Sequence, residues 1–138
     1  AEALAGALRV NTTVTSVNLG GNSTKAEGIK HLTDALKDIK HLTDALKDNK
    51  SVSKLLIHDN GFGPEGAKHV ADLLRITETA TSLNLSDNRI GAAGAEALAS
   101  ALRVNATVTK VDLRNNRIMD EGIAHLTDAL KHNKSVSE

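Results

Sequence analysis

Two apolar patterns alternate along this chain. A stretch such as Val108-Thr109-Lys110-Val111-Asp112-Leu113 carries apolar side chains at 108, 111 and 113, and its second half alternates apolar with polar. That is the pattern of a short strand with one face buried. The stretch that follows, Gly122-Ile123-Ala124-His125-Leu126-Thr127-Asp128-Ala129-Leu130, is apolar at 123, 126, 129 and 130, which is the stripe of an amphipathic helix. The same order of strand, turn and helix recurs upstream. Helix starts are marked by Thr24-x-x-Glu27 with capping-box spacing, by Pro64 inside a first turn, and by Asp120 with Glu121.

The recurrence is a sequence repeat. Leu83-Asn84-Leu85-Ser86-Asp87-Asn88-Arg89-Ile90 returns 28 residues later as Val111-Asp112-Leu113-Arg114-Asn115-Asn116-Arg117-Ile118. Stepping back from Asn88 reaches Asn60, and a further copy ends at Asn22. Six residues after each Asn stands a glycine, namely Gly28, Gly66, Gly94 and Gly122. A glycine inside a helix costs about 1 kcal/mol relative to alanine, so its repetition implies close packing of helix on neighbouring backbone. The Asn has its own physical assignment. Where the strand ends, the backbone turns between adjacent repeats, and a side-chain amide can both donate to and accept from stranded peptide groups. Asn22, Asn60, Asn88 and Asn116 are therefore expected to stack as a structural ladder.

The spacing is uneven in one place. Asn60, Asn88 and Asn116 lie 28 apart, but Asn22 precedes Asn60 by 38. The surplus is a direct duplication: residues 30–39, Lys30 to Ile39, are followed by residues 40–49, Lys40 to Asn49, with nine of ten positions identical. Such identity points to recent or engineered duplication. The chain thus divides into a partial repeat helix at 1–11, a repeat with the duplicated segment at 12–49, repeats at 50–77, 78–105 and 106–133, and the start of a further strand at 134–138. Both ends read as interior to repeats, leaving an open strand edge near residues 14–19 and bare apolar surface at the far end. Ten extra helical residues would carry a helix end about 15 Å onward, although the next strand must still start beside the last. One copy is expected to dock while the other is displaced, with domain swapping or disorder of the excess as the other outcomes. Displaced apolar residues, Leu42, Ala45 and Leu46 or else Leu32, Ala35 and Leu36, would form a self-association patch.

These residues resemble the ribonuclease-inhibitor type of leucine-rich repeat, L-x-L-x-x-N-x-I followed by glycine and a helix, over almost the whole chain. The resemblance implies an α/β fold, a right-handed solenoid with a parallel sheet on the concave face and helices on the convex face. It implies protein binding on the concave face. Its members also include activators of small GTPases and nucleotide-sensor receptor ends, so a regulatory fragment of that kind is the alternative reading. The first repeat departs from the pattern, with Thr24 where the others have Phe62, Ile90 and Ile118.

Composition narrows the function. Lys and Arg number 17, as do Asp and Glu, and the pI is near 7.2, which gives no general electrostatic reason to bind nucleic acid or acidic membranes. The absence of cysteine removes disulfides and thiolate metal sites and favours a cytoplasmic setting. No apolar run reaches the ~20 residues of a membrane span. Six histidines form no ligand motif; His31, His41 and His125 share one helix position and read as surface or half-exposed residues. No phosphate loop or catalytic pairing is present, so neither an enzyme, a cofactor nor a metal is expected. What remains is a protein-interaction scaffold. Its candidate contacts on the concave strand positions are Lys54, His58, Lys110, Asp112 and Arg114, with homo-oligomerisation through the duplicated helix or the solenoid ends as a further expectation. Only one aromatic residue, Phe62, is available to anchor any contact, and it sits at a core position of the repeat.

Overall fold

Strands of only three residues alternate with helices in the computed structural model, which describes residues 2–21 and 40–137. In chain order they are α1 (Glu2–Val10), β1 (Ser16–Asn18), α2 (helical at residues 40–48), β2 (Lys54–Leu56), α3 (Gly63–Ile76), β3 (Ser82–Asn84), α4 (Gly91–Val104), β4 (Lys110–Asp112) and α5 (Met119–His132). The strands form one parallel sheet in the order β1-β2-β3-β4, with Val17, Leu55, Leu83 and Val111 in register. Parallel strands require a crossover, and the helices supply it. The result is the α/β arrangement of a leucine-rich-repeat solenoid segment. Among the described residues, no helix is long and apolar enough to cross a membrane.

The core lies between sheet and helices. Val17, Leu55 and Leu83 point into it from the strands, while Val70, Leu74, Leu98 and Leu102 meet them from the helices, all buried. Phe62 and Ile90, two residues after the strand-exit Asn, close the end of each layer and are fully buried. Truncating any one of these to alanine costs about 2–5 kcal/mol. The repeating glycine explains the thinness of the layers. A Cβ on Gly94 or Gly122 would stand 3.0 Å from the Cβ of Ala67 or Ala95 and 3.2 Å from the Cα of Pro64 or Ala92. Helix meets helix at that point with no room for a side chain.

Each strand exit holds left-handed backbone. The residues before the ladder Asn (Asp59, Asp87, Asn115) and those one and three after it (Gly61, Arg89, Arg117; Gly63, Gly91, Met119) all have φ between 52° and 67°. A non-glycine residue there costs roughly 1–2 kcal/mol. The chain accepts that strain because it must swing from the sheet to the helix layer within a few residues.

A second Asn row ties the other end of each repeat. Immediately after the helices stand Asn11, Asn49, Thr77, Asn105 and Asn133. Asn49 Oδ1 accepts from the backbone N–H of Ser51 at 2.8 Å and Val52 at 2.7 Å, while its Nδ2 donates to the carbonyls of Leu8 at 2.7 Å and Asn11 at 3.0 Å. Asn105 and Asn133 repeat the arrangement, accepting from Val108 and Val136 and donating back to Leu74 and Leu102. Thr77 keeps the accepting half, through a hydroxyl oxygen 3.2 Å from the N–H of Ala80. Sequence reading singled out the strand-exit Asn and passed over this row, although its spacing is just as regular.

This row also includes the end of the second copy of the duplicated segment. Leu42, Ala45 and Leu46 are 5%, 0% and 5% exposed, so the second copy forms α2 and faces the core. The expectation that this trio forms an exposed self-association patch is thereby corrected: their burial against the sheet makes them core. Leu32, Ala35 and Leu36 lie outside the described residues, as does the Thr24 capping box. The single difference between the copies is Ile39 against Asn49, and it falls on the position that must donate to and accept from four backbone groups. Isoleucine can do neither.

Deleting residues 30–39 and deleting residues 40–49 give chains that differ only at that position. The second deletion, which leaves Ile39 there, is expected to be less stable by about 2–4 kcal/mol in urea denaturation, since buried backbone groups lose their partners. In a separate comparison, Arg89→Gly is expected to gain about 0.5–1 kcal/mol by relieving left-handed strain, read as a raised urea midpoint.

Candidate binding face

Strand period two turns every other residue away from the helices, and the parallel register sorts those residues into rows. Ser16, Lys54, Ser82 and Lys110 form the first row, and Asn18, Leu56, Asn84 and Asp112 the second. The third comprises Gly20, His58, Ser86 and Arg114, aligned by backbone bonds from Gly21 N to His58 O, Asp59 N to Ser86 O and Asp87 N to Arg114 O. With strands about 4.8 Å apart, Lys54 and Lys110 stand roughly 10 Å from each other across Ser82.

The second row serves the fold as much as the surface. Asn18, Asn84 and Asp112 each accept from the backbone N–H two residues on, at 3.0, 3.1 and 3.1 Å, which pins the strand exit. Asp112 is also held in a two-pronged pair by Arg114, from Nε to Oδ1 at 3.0 Å and from Nη2 to Oδ2 at 2.6 Å. The Arg114 hydrogen bond holds the Asp112 carboxyl below its ordinary range, and burial opposes this only in part. The guanidinium is raised correspondingly, first by the same bond. Because the folded carboxyl titrates below its unfolded value, the pair is intact above the ordinary carboxylate range and is lost as pH falls through the depressed value. Arg114 itself is 80% exposed, so the pair orients the guanidinium more than it stabilises the fold.

His58 has a different role from the one its position suggests. It is half-buried, its ring lies over Gly20 so closely that a Cβ there would overlap it, and its Nδ1 is buried with no hydrogen-bond partner. It therefore packs the floor of the face. Lys54, Lys110 and Arg114 are exposed cations set against two carboxylates, Asp112 and, beside Arg114, Asp87, so cations are in slight surplus on this face within a chain whose net charge is zero.

The strand-exit Asn residues stand apart from this face. Asn88 Nδ2 donates to the carbonyls of Ile57 at 2.9 Å, Leu85 at 3.0 Å and Ser86 at 3.0 Å, while its Oδ1 accepts from the backbone N–H of Asn60 at 2.9 Å. Asn116 Oδ1 accepts from Asn88 N at 2.8 Å in the same way. Asn60, Asn88 and Asn116 thus form a continuous hydrogen-bonded row, with Asn60 reaching back to Leu19 O at 3.0 Å; Asn22 lies outside the described residues. Their amides are saturated by backbone, which leaves no donors to offer a ligand. His41 and His125 are half-buried, His31 lies outside the described residues, and no cluster of three or more His, Cys, Asp or Glu that could hold a metal occurs among the described residues.

The leucine-rich-repeat family model matches residues 81–99 and 104–126, which span β3, most of α4, β4 and the first half of α5. No curated protein matches the sequence. Among solved structures, the fold is similar to leiomodin-1 actin-binding site 2, with a TM-score of 0.83 and 23% identity over 96% of this chain and 73% of that one. It is also similar to a tropomodulin C-terminal domain from Caenorhabditis elegans, with a TM-score of 0.57 and 15% identity over 96% of this chain and 92% of that one. Likeness at these identities is a likeness of fold.

Removing the guanidinium isolates its effect on the neighbouring carboxyl. In Arg114→Ala, the Asp112 carboxyl is expected to titrate higher, back toward the ordinary aspartate value, in an NMR pH titration of its side-chain carbon. The urea midpoint at neutral pH should change little, as the pair is at the surface.

Proposed function

We propose that this chain is a non-enzymatic protein-interaction scaffold that receives an acidic surface of another protein on the helix-free face of its sheet. Lys54, Lys110 and Arg114 supply the attraction, Asp112 holds Arg114 in place, and His58 with Gly20 shapes the floor. The observation that carries this reading is the surplus of cations over carboxylate on a face that a rigid, backbone-tied sheet displays. Such a face gives steering and specificity before it gives affinity. With no Trp or Tyr in the chain and Phe62 in the core, the contact depends on charge and is correspondingly sensitive to salt. We read the repeat as the ribonuclease-inhibitor type and the setting as cytoplasmic, in keeping with the 28-residue period and the absence of cysteine.

The likeness to an actin-binding site makes actin the first protein to test. In filament co-sedimentation, the chain is expected to pellet with actin and to be released as salt rises. The triple variant Lys54→Glu, Lys110→Glu, Arg114→Glu is expected to lose at least about tenfold in affinity while its thermal melt is unchanged. If the unaltered chain stays in the supernatant, actin is not the partner. If the triple variant binds as well as the parent, the sheet face is not the contact.

A further inference from the structure

The strand-exit asparagines hold the same post in successive repeats, yet they differ in the residue that follows. Asn60 precedes Gly61, whereas Asn88 and Asn116 precede Arg89 and Arg117 at the same left-handed backbone position. Nowhere else in the chain does glycine follow asparagine. The pair matters chemically, because glycine has no Cβ and leaves its backbone nitrogen unhindered. That nitrogen is placed to attack the side-chain amide carbon of the asparagine before it.

In such an attack the Gly61 nitrogen loses its proton and forms a bond to Asn60 Cγ, and the Cγ–Nδ2 bond breaks so that Nδ2 leaves as ammonia. A cyclic imide results. Water then adds to one or the other imide carbonyl and opens the ring, leaving aspartate or its isomer in which the main chain runs through the side-chain carbon. Nothing is oxidised or reduced, and the co-reactant is solvent water.

The fold opposes the first step. Asn60 Nδ2, the atom that must leave, donates to the carbonyls of Leu19 at 3.0 Å, Ile57 at 3.1 Å and His58 at 3.1 Å, and Asn88 Oδ1 holds the backbone N–H of Asn60 at 2.9 Å. Turning the side chain onto the next peptide gives up the three donations. The protection is nevertheless weaker here than further along the row. Asn60 is half-buried, while Asn88 and Asn116 are 0% and 2% exposed.

We propose that Asn60 is a deamidation site, guarded by the asparagine row in the folded chain and released when the strand exit at residues 57–61 opens locally. The conversion runs one way. A carboxylate at this position has no donor left and faces the three carbonyl oxygens that the amide had satisfied, so the tie to Leu19 and the hold on His58 are both lost. The His58 carbonyl also receives the N–H of Gly21 at 2.9 Å, so the loss falls on the link between the first two strands and on the residue that forms the floor of the sheet face. The proposal stands independently of what that face binds.

The test incubates the full chain in mildly alkaline buffer, with and without enough guanidinium chloride to unfold it, and follows each asparagine by mass spectrometry of proteolytic fragments. In the unfolded chain Asn60 is expected to convert faster than every other asparagine, and in the folded chain at least about tenfold more slowly than when unfolded. Arg89→Gly sets a glycine after Asn88, which like Asn60 is preceded by aspartate. Unfolded, Asn88 in this variant is expected to convert at the rate of Asn60; folded, it is expected to be the slower of the two. Asn60→Asp, made directly, is expected to lower the denaturation midpoint. An Asn60 rate indifferent to unfolding, another asparagine of the parent chain converting faster when unfolded, Asn88 of the folded Arg89→Gly chain outpacing Asn60, or an unchanged midpoint in Asn60→Asp would each overturn the proposal.

Discussion

Everything in this molecule depends on the hydrogen bonds that asparagine side chains make to backbone stranded between repeats. Strands of three residues pair only briefly, and each repeat must then turn out of the sheet and back into it through segments that lie against a neighbour. Buried peptide groups there have no regular partner, and leaving one unpaired costs about 1–3 kcal/mol. Two rows of side chains supply the partners: Asn60, Asn88 and Asn116 where strands end, and Asn11, Asn49, Asn105 and Asn133 where helices end. Asn49, Asn88, Asn105, Asn116 and Asn133 each accept from backbone N–H groups and donate across a repeat boundary, Asn60 donates across one to Leu19, and Asn11 accepts from Thr13 and Val14. The rows therefore join repeats as well as closing them.

The duplicated segment brings the same constraint into view. Hydrophobic pattern alone leaves residues 30–39 and 40–49 equivalent, since both present the same leucines and alanine. The second copy forms α2 and ends in Asn49, whose amide meets four backbone groups. Isoleucine, which ends the first copy, has no side-chain donor or acceptor to do this.

The surface offered to partners follows from the same geometry. A parallel sheet with helices on one side leaves its other face in ordered rows, where Lys54, Lys110 and Arg114 outnumber Asp112 and Asp87. Charge dominates that surface.

The period of 28, the strand, turn and helix order, and the strand-exit Asn were all legible from residue spacing, because each rests on interactions within a repeat or between identical repeats. So was the choice of strand positions that turn away from the core, which follows from period two. Spacing could not say that Leu42, Ala45 and Leu46 are core, that His58 lies down on Gly20, or that Asp112 is bound up with Arg114. Those outcomes depend on which groups meet across repeats and on what remains for each to pair with once its neighbours are satisfied. Local pattern is fixed by periodicity along one chain segment; the assignment of each side chain to core, floor or contact is settled only when segments 28 and 38 residues apart compete for the same space and the same hydrogen bonds.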